Sequence, residues 1–329
     1  MSTPLTGQEK TRSFNTNLGY WWDKVGMLAV LFILMVFMAI FADNFLSYDN
    51  AINVLRAVSI NAILAAGMTM IIITAGIDLS VGSILAVAGV VGVLLHTSGM
   101  PAPVAILGGL LAGALAGFVN GAFIAWLALP AFIVTLGSMT YLRGIAYSLL
   151  NGLPLVASDL SYRGMGNGVI VGTPIPNPVV LMVVVYAITW FLMERTAFGR
   201  HVYAVGGNPE AARLAGINVK ATLLWVYTIA GTLTALAGLI FSARVTSGQP
   251  KAGEGYELDA IAAVVLGGTS LAGGRGRILG TLVGALIIGV LSNGLVLMNV
   301  QFFHQLIIKG VVIILAVALD SLRTLGRSS

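Results

Sequence analysis

The stretch ERTAFGRHVYAVGGNPEAARLAGINVK, residues 194–220, is the longest polar interruption in the interior of a very apolar chain. It carries Glu194, Arg195, Arg200, Glu210, Arg213 and Lys220, whereas the 30 residues before it, Gly164 to Met193, carry no formal charge. A basic loop between apolar runs belongs on the cytoplasmic side of a membrane. Within it, Glu210-Ala211-Ala212-Arg213-Leu214-Ala215-Gly216 reads as a short helix closed by a glycine. A helix of that size in that place can dock on a soluble partner, so the chain reads as a membrane subunit driven from outside itself.

The composition agrees. Of 329 residues, 58% are hydrophobic and 9% charged, and the mean hydropathy is +0.97. Soluble domains carry about 25% charged residues, so this chain cannot bury its surface as a soluble globule. Helices satisfy their own backbone hydrogen bonds and can do so in lipid. At about 20 residues per span there is room for roughly ten helices and their loops. The 41 glycines suit close helix approach in a membrane. The net charge of +5 comes from residues at span ends, so it reads as membrane orientation and not as nucleic-acid binding. The lack of cysteine excludes disulfides, a thiol nucleophile and thiolate metal ligands.

Apolar runs bounded by charge, Gly and Pro predict ten segments, at about 25–42, 57–75, 82–97, 102–127, 131–150, 178–193, 221–243, 258–272, 278–298 and 303–319. The third and eighth are short. The first run is too long for a signal-peptide core and is expected to be retained. Tyr20, Trp21 and Trp22 precede it as interfacial anchors. The expected organisation is a tail over 1–24, a transmembrane domain over 25–320 and a tail over 321–329. Residues 151–177 are expected to form the longest external loop. With both termini inside, the cytoplasmic regions hold Lys10, Arg12, Lys24, Arg195, Arg200, Arg213, Lys220, Arg275, Arg277, Arg323 and Arg327, which is 11 of the 17 basic residues. That bias supports cytoplasmic termini.

The chain repeats itself. Gly76-Ile77-Asp78-Leu79 precedes the short third segment, and Gly255-Tyr256-Glu257-Leu258 precedes the short eighth. Leu107-Gly108-Gly109-Leu110 and Asn120-Gly121 in the fourth match Leu279-Gly280-Thr281-Leu282 and Asn293-Gly294 in the ninth. Five spans per half is an odd number, so the fold expected is an all-α integral membrane protein of two inverted five-helix repeats. Transporters often place their pathway at such a repeat interface and at short or broken helices.

Four acidic or hydroxyl residues flank the short segments: Asp78, Ser80, Glu257 and Asp259. Each has two readings, as an N-terminal cap or as part of a pathway. The sequence puts Asp78 near one membrane face and Glu257 near the other. Gly109, Gly113, Gly117 and Gly121 recur every four residues, which places them on one helix face for close packing. His96, His201 and His304 have no partner at metal-ligand spacing. Nucleotide-loop and hydrolase motifs are absent, so no metal, cofactor or catalytic residue is expected.

Three stretches carry a family resemblance: TAGIDLSVGS at 74–83, EAARLAGI at 210–217, and GYELDAIAAVVLGGTSLAGG at 255–274. The chain resembles the membrane permease subunits of ribose-type sugar importers of the ATP-binding-cassette class, over about residue 25 to the C-terminus. The second stretch is similar to the E-A-A-x3-G core of importer coupling loops, and the downstream Ile-x-Leu-Pro is absent. The resemblance implies a homodimer of permeases in lipid, two cytoplasmic ATP-binding subunits and a periplasmic sugar-binding protein. It places the chain in a bacterial inner membrane and makes Glu210, Ala211, Ala212, Arg213 and Gly216 the coupling contact. Spans almost free of ionisable residues suit a neutral sugar. An ion-coupled secondary transporter is the alternative, because inverted repeats occur there as well. An intramembrane hydrolase lacks a nucleophile–base pair.

Overall fold

A computed structural model describes residues 26–328. The anchors Tyr20 to Trp22 and the tail 1–24 lie outside the described residues. Helices stand at each of the ten expected segments. They are α1 (Gly26–Phe41), α2 (Tyr48–Ile73), α3 (Val81–Thr97), α4 (Ala102–Trp126), α5 (Ala131–Leu149), α7 (Asn177–Arg195), α10 (Val219–Val245), α11 (Tyr256–Leu266), α12 (Ile278–Leu297) and α13 (Phe302–Ser328). Three shorter helices lie in the loops: α6 (Gly164–Asn167), α8 (Ala197–Gly207) and α9 (Pro209–Leu214). By length and composition α2, α4, α7, α10 and α12 can cross a membrane.

The centre is α2. It has no polar face beyond its first turns, and a helix apolar on all sides must be covered on all sides. From Val58 to Ile73 nearly every residue is buried, under α7, α10, α11 and α12. The helix starts earlier than its apolar run. Ser47 Oγ accepts from Asn50 N at 3.3 Å, and Asn50 and Asn293 exchange side-chain amide hydrogen bonds at 2.8 and 3.1 Å. A polar first turn is therefore satisfied by α12.

The second contact that sets the architecture is α4 on α10. A Cβ on Gly113 would stand 2.6 Å from the Gly231 carbonyl oxygen, one on Gly109 2.8 Å from Leu239 Cδ2, and one on Gly121 3.0 Å from Leu224 Cα. A Cβ on Gly117 would overlap the Tyr227 carbonyl. Small residues at four-residue spacing let the two backbones touch.

Two features of the loops differ from expectation. Residues 194–220 contain α8 as well as α9. Thr196 starts α8 by accepting from Gly199 N at 3.5 Å, and the helix buries Gly199, Val202, Val205 and Gly206. The 151–177 loop is tied down by β1 (Leu155–Val156), which pairs antiparallel with β2 (Ser247–Gly248). The last helix runs to Ser328, through residues expected as a tail.

Candidate functional site

The connections at the two short segments make up the candidate site. Residues 74–80 leave the C-terminal end of α2 and lead to α3. Residues 249–255 leave β2 and lead to α11. Gly248 sits on α3 at the level of Val90 and Val93, whereas Gly253 sits against Gly82. The second connection thus runs back along α3, roughly 12–16 Å at 1.5 Å per residue, into the interior. Helix α11, with 11 residues, is about 16 Å long, about half of a ~30 Å hydrocarbon core. Its far end leads to a loop in which Gly274 N donates to the Ile73 carbonyl at 2.9 Å and the Gly276 carbonyl accepts from Tyr203 of α8 at 2.9 Å.

The two helix starts therefore meet inside the protein. A Cβ on Gly82 would overlap the Gly253 carbonyl and stand 2.8 Å from Glu257 Oε2. Glu257 therefore stands beside the first turn of α3 and not at the opposite end of the protein from Asp78, as the inverted repeat led us to expect. A polar tetrapeptide looks like a surface turn in sequence, but Asp78 is 1% exposed. Asn120 of α4 and Tyr227 of α10 stand around this turn.

Asp78 Oδ1 accepts from Ser80 N at 2.7 Å and from Ser80 Oγ at 2.5 Å. Asn120 Nδ2 of α4 donates to Ser80 Oγ at 3.0 Å. Ser80 is the N-cap of α3, yet its side chain makes no cap bond; Asp78 holds the cap residue instead. Thr135 of α5 donates to the Ile77 carbonyl at 3.1 Å, and Ser83 donates to the Met139 carbonyl at 2.7 Å. Asp78 Oδ2, Asn120 Oδ1 and the Tyr227 hydroxyl are buried without a hydrogen-bond partner, and the Tyr227 hydroxyl lies 2.5 Å from where a Gly76 Cβ would be. Buried unpartnered polar groups are costly, so this cluster is kept at an energetic cost beside the helix start.

At α11 the acids take different roles. The cap position is Gly255, at φ +83°, which offers no side chain. Asp259, expected as a cap, pairs across to Lys309 of α13 at 2.9 Å. Glu257 remains in the first turn, half-buried, where its charge suits the helix N-terminus. Arg143 of α5 donates to the Pro250 and Ala252 carbonyls at 2.6 Å each, fixing the connection before α11. Sequence reasoning missed Arg143, Tyr227 and Lys309. Arg143 is the one charged residue of α5, and Lys309 is a charge within the apolar run of α13, which was the available signal for those two; Tyr227 carried none.

The second site is α9. Asn208 Oδ1 caps it from the Ala211 N–H at 2.9 Å. Gly216, at φ +83°, closes it: Ile217 N donates to the Ala212 carbonyl and Gly216 N to the Arg213 carbonyl, both at 3.0 Å, the reciprocal pair of a glycine-terminated helix. Glu210 and Arg213 pair with each other at 2.9 Å on the surface. Ala211 and Gly216 are exposed. Ala212 is 4% exposed and Leu214 82%. Ala212 is therefore covered by its own chain. Leu214 is the outward apolar residue.

A family described as branched-chain amino acid transport system, permease component, matches residues 50–317. The chain belongs to this permease family. It is 46% identical over 303 residues to the ribose import permease protein RbsC of Escherichia coli (strain K12), covering 92% of this chain and 94% of that one. It is 47% identical over 300 residues to the ribose import permease protein RbsC of Bacillus subtilis (strain 168), covering 91% and 92%. It is 38% identical over 308 residues to the D-allose transport system permease protein AlsC of Escherichia coli (strain K12), covering 93% and 94%. No solved structure matches the chain.

Proposed function

We propose that this permease is the membrane subunit of an ATP-binding-cassette importer that carries a ribose-like monosaccharide inward across a bacterial inner membrane. One observation carries the reading. The relatives matched over more than nine-tenths of the chain are named as ribose import permeases. Ion coupling, the alternative, draws no support from those names.

The structural features are consistent with the role. Helix α9 presents Leu214 and the Glu210–Arg213 pair on an exposed turn held by its own cap and glycine, as a contact for a cytoplasmic ATP-binding subunit requires. Helix α8 ties that turn to the base of the bundle through Tyr203. The half-helix starts at Gly82 and Gly253 form the element that such a contact has to move. We take the ten helices as ten spans in two inverted repeats with both termini cytoplasmic. In support, α4 lies along α10 while α12, its repeat counterpart, lies along α2. Two copies form the dimer, and a periplasmic sugar-binding protein delivers the substrate.

The test is reconstitution of the permease in proteoliposomes with its ATP-binding subunit and binding protein. ATP-dependent ribose uptake is expected, with no requirement for an ion gradient. Uptake that needs a gradient and not ATP sinks the proposal.

A further inference from the structure

Helix α5 has two opposite faces. Thr135, Ser138, Leu142 and Ala146 are buried against the bundle. On the opposite side lie Gly137, Thr140, Tyr141, Gly144, Tyr147 and Ser148, all exposed. The two glycines face open space, and the tyrosines are 45% and 36% exposed. Phe132, Leu136, Ile145 and Leu149 sit on the flanks of this stripe, and Ile133, 59% exposed, is the one large aliphatic side chain on its centre line, at the start of the helix. A hydroxyl and aromatic stripe is a poor surface for acyl chains.

A second observation lies beside it. Arg143 is twelve residues into the 19-residue α5, about 18 Å from its start and about 9 Å from its end at 1.5 Å per residue, so it lies within the length of the helix and not at either terminus. Its guanidinium holds the Pro250 and Ala252 carbonyls. It is within electrostatic reach of Glu254, Glu257 and the Tyr147 hydroxyl, and Lys251 stands 3.7 Å from Glu254. Glu254 is exposed, and Arg143 and Glu257 are half-buried. Charges so placed face water or protein and not lipid. The four formal charges of Lys251, Arg143, Glu254 and Glu257 cancel, so the cluster favours a neutral ligand over an ion.

We propose that Arg143, Glu257 and Tyr147, with the exposed stripe of α5, form a sugar-binding station along the path. Carboxylate accepts from a sugar hydroxyl, guanidinium donates to one, and a tyrosine ring covers the C–H face. The wall opposite is the second copy of the chain. The inference rests on the sugar-importer reading and assigns the residues that read the sugar within it.

The chain has no cysteine, which allows a direct test in the assembled complex. Thr140→Cys and Tyr147→Cys are expected to react with a hydrophilic, membrane-impermeant maleimide. Ribose at millimolar concentration is expected to slow labelling of Thr140→Cys several-fold, whereas ribose 5-phosphate leaves it unchanged. Adding Glu257→Gln is expected to remove the protection. Should that variant fail to assemble, Tyr147→Ala in the Thr140→Cys background removes the ring that covers the sugar and serves the same purpose. Cysteines that stay unreactive in a complex competent for uptake overturn the station. So do equal protection by the phosphate ester and protection that survives both substitutions. Loss of ATP-dependent sugar uptake by the parent complex overturns the importer reading itself, which these labelling results do not address.

Discussion

Gly82, in the first turn of α3, and Gly253, three residues before the start of α11, are in backbone contact, each at the place where a Cβ on the other would have to go. Two helix starts with partial positive ends are thereby held face to face, and Glu257 lies next to them. The contact exists because neither residue has a side chain. Gly253 also needs φ +72°, which other residues adopt at a cost.

Gly82→Val is therefore expected to abolish uptake while α4, α10 and α2 still insert. Overpacking of this kind costs about 1–3 kcal/mol, which is felt locally at the junction before it unfolds the bundle. The check is sugar uptake beside thermal stability of the purified permease. A Gly82→Val protein that transports like the parent removes the junction from the mechanism.

Asp78 gives a second expectation. Asp78→Asn keeps an oxygen to accept from the N–H and hydroxyl of Ser80, whereas Asp78→Ala keeps none. Loss of a cap contact costs about 0.5–2 kcal/mol. The alanine variant should melt several degrees lower than the asparagine variant, and its transport should be the more impaired. Equal behaviour of the two shows that charge, not hydrogen bonding, is what Asp78 supplies.

The helices were legible in the sequence because apolar runs ended by charge, Gly and Pro leave few choices. The shortness of the third and eighth segments was legible as well, and it marks the two helix starts that meet at Gly82 and Gly253. The burial of Asp78 was not legible: Gly-Ile-Asp-Leu is as polar as a surface turn, and the groups around it, Asn120, Thr135 and Tyr227, come from α4, α5 and α10. Helix α8 had a signal, since Gly199, Val202 and Val205 recur every three residues, but the surrounding charges made the whole stretch read as loop. The pairing of Asp259 with Lys309 could not be read, because nothing in a one-dimensional pattern joins α11 to α13.

At α9, proposed above as the coupling contact, burial separates two substitutions that look alike in sequence. Ala212→Arg forces a long side chain into a position covered by the chain itself, so it should lower thermal stability as well as transport. Leu214→Asp changes an exposed side chain, so stability should stay within about 0.5 kcal/mol of the parent. It should still reduce ATP-binding-subunit capture and sugar-stimulated ATP hydrolysis by tenfold or more, as expected for an apolar interface anchor. Normal capture by Leu214→Asp removes α9 as the docking element.

The Asp259–Lys309 pair joins a half-helix to the last long helix, with side chains 9% and 21% exposed. Removing one partner leaves a charge with little water around it, at a cost of about 3–5 kcal/mol. Lys309→Met and Asp259→Asn should therefore each destabilise the permease strongly. The double variant carries no orphaned charge and should recover most of the loss, since replacing a buried pair by neutral groups is often close to neutral. If α11 must shift during transport, the double variant should be stable yet altered in uptake rate, because the tether on α11 is gone. Thermal melts of the two single variants and the double variant give the coupling energy, and uptake by the double variant shows whether the tether serves stability alone. Strictly additive melts would mean that the two side chains do not support one another.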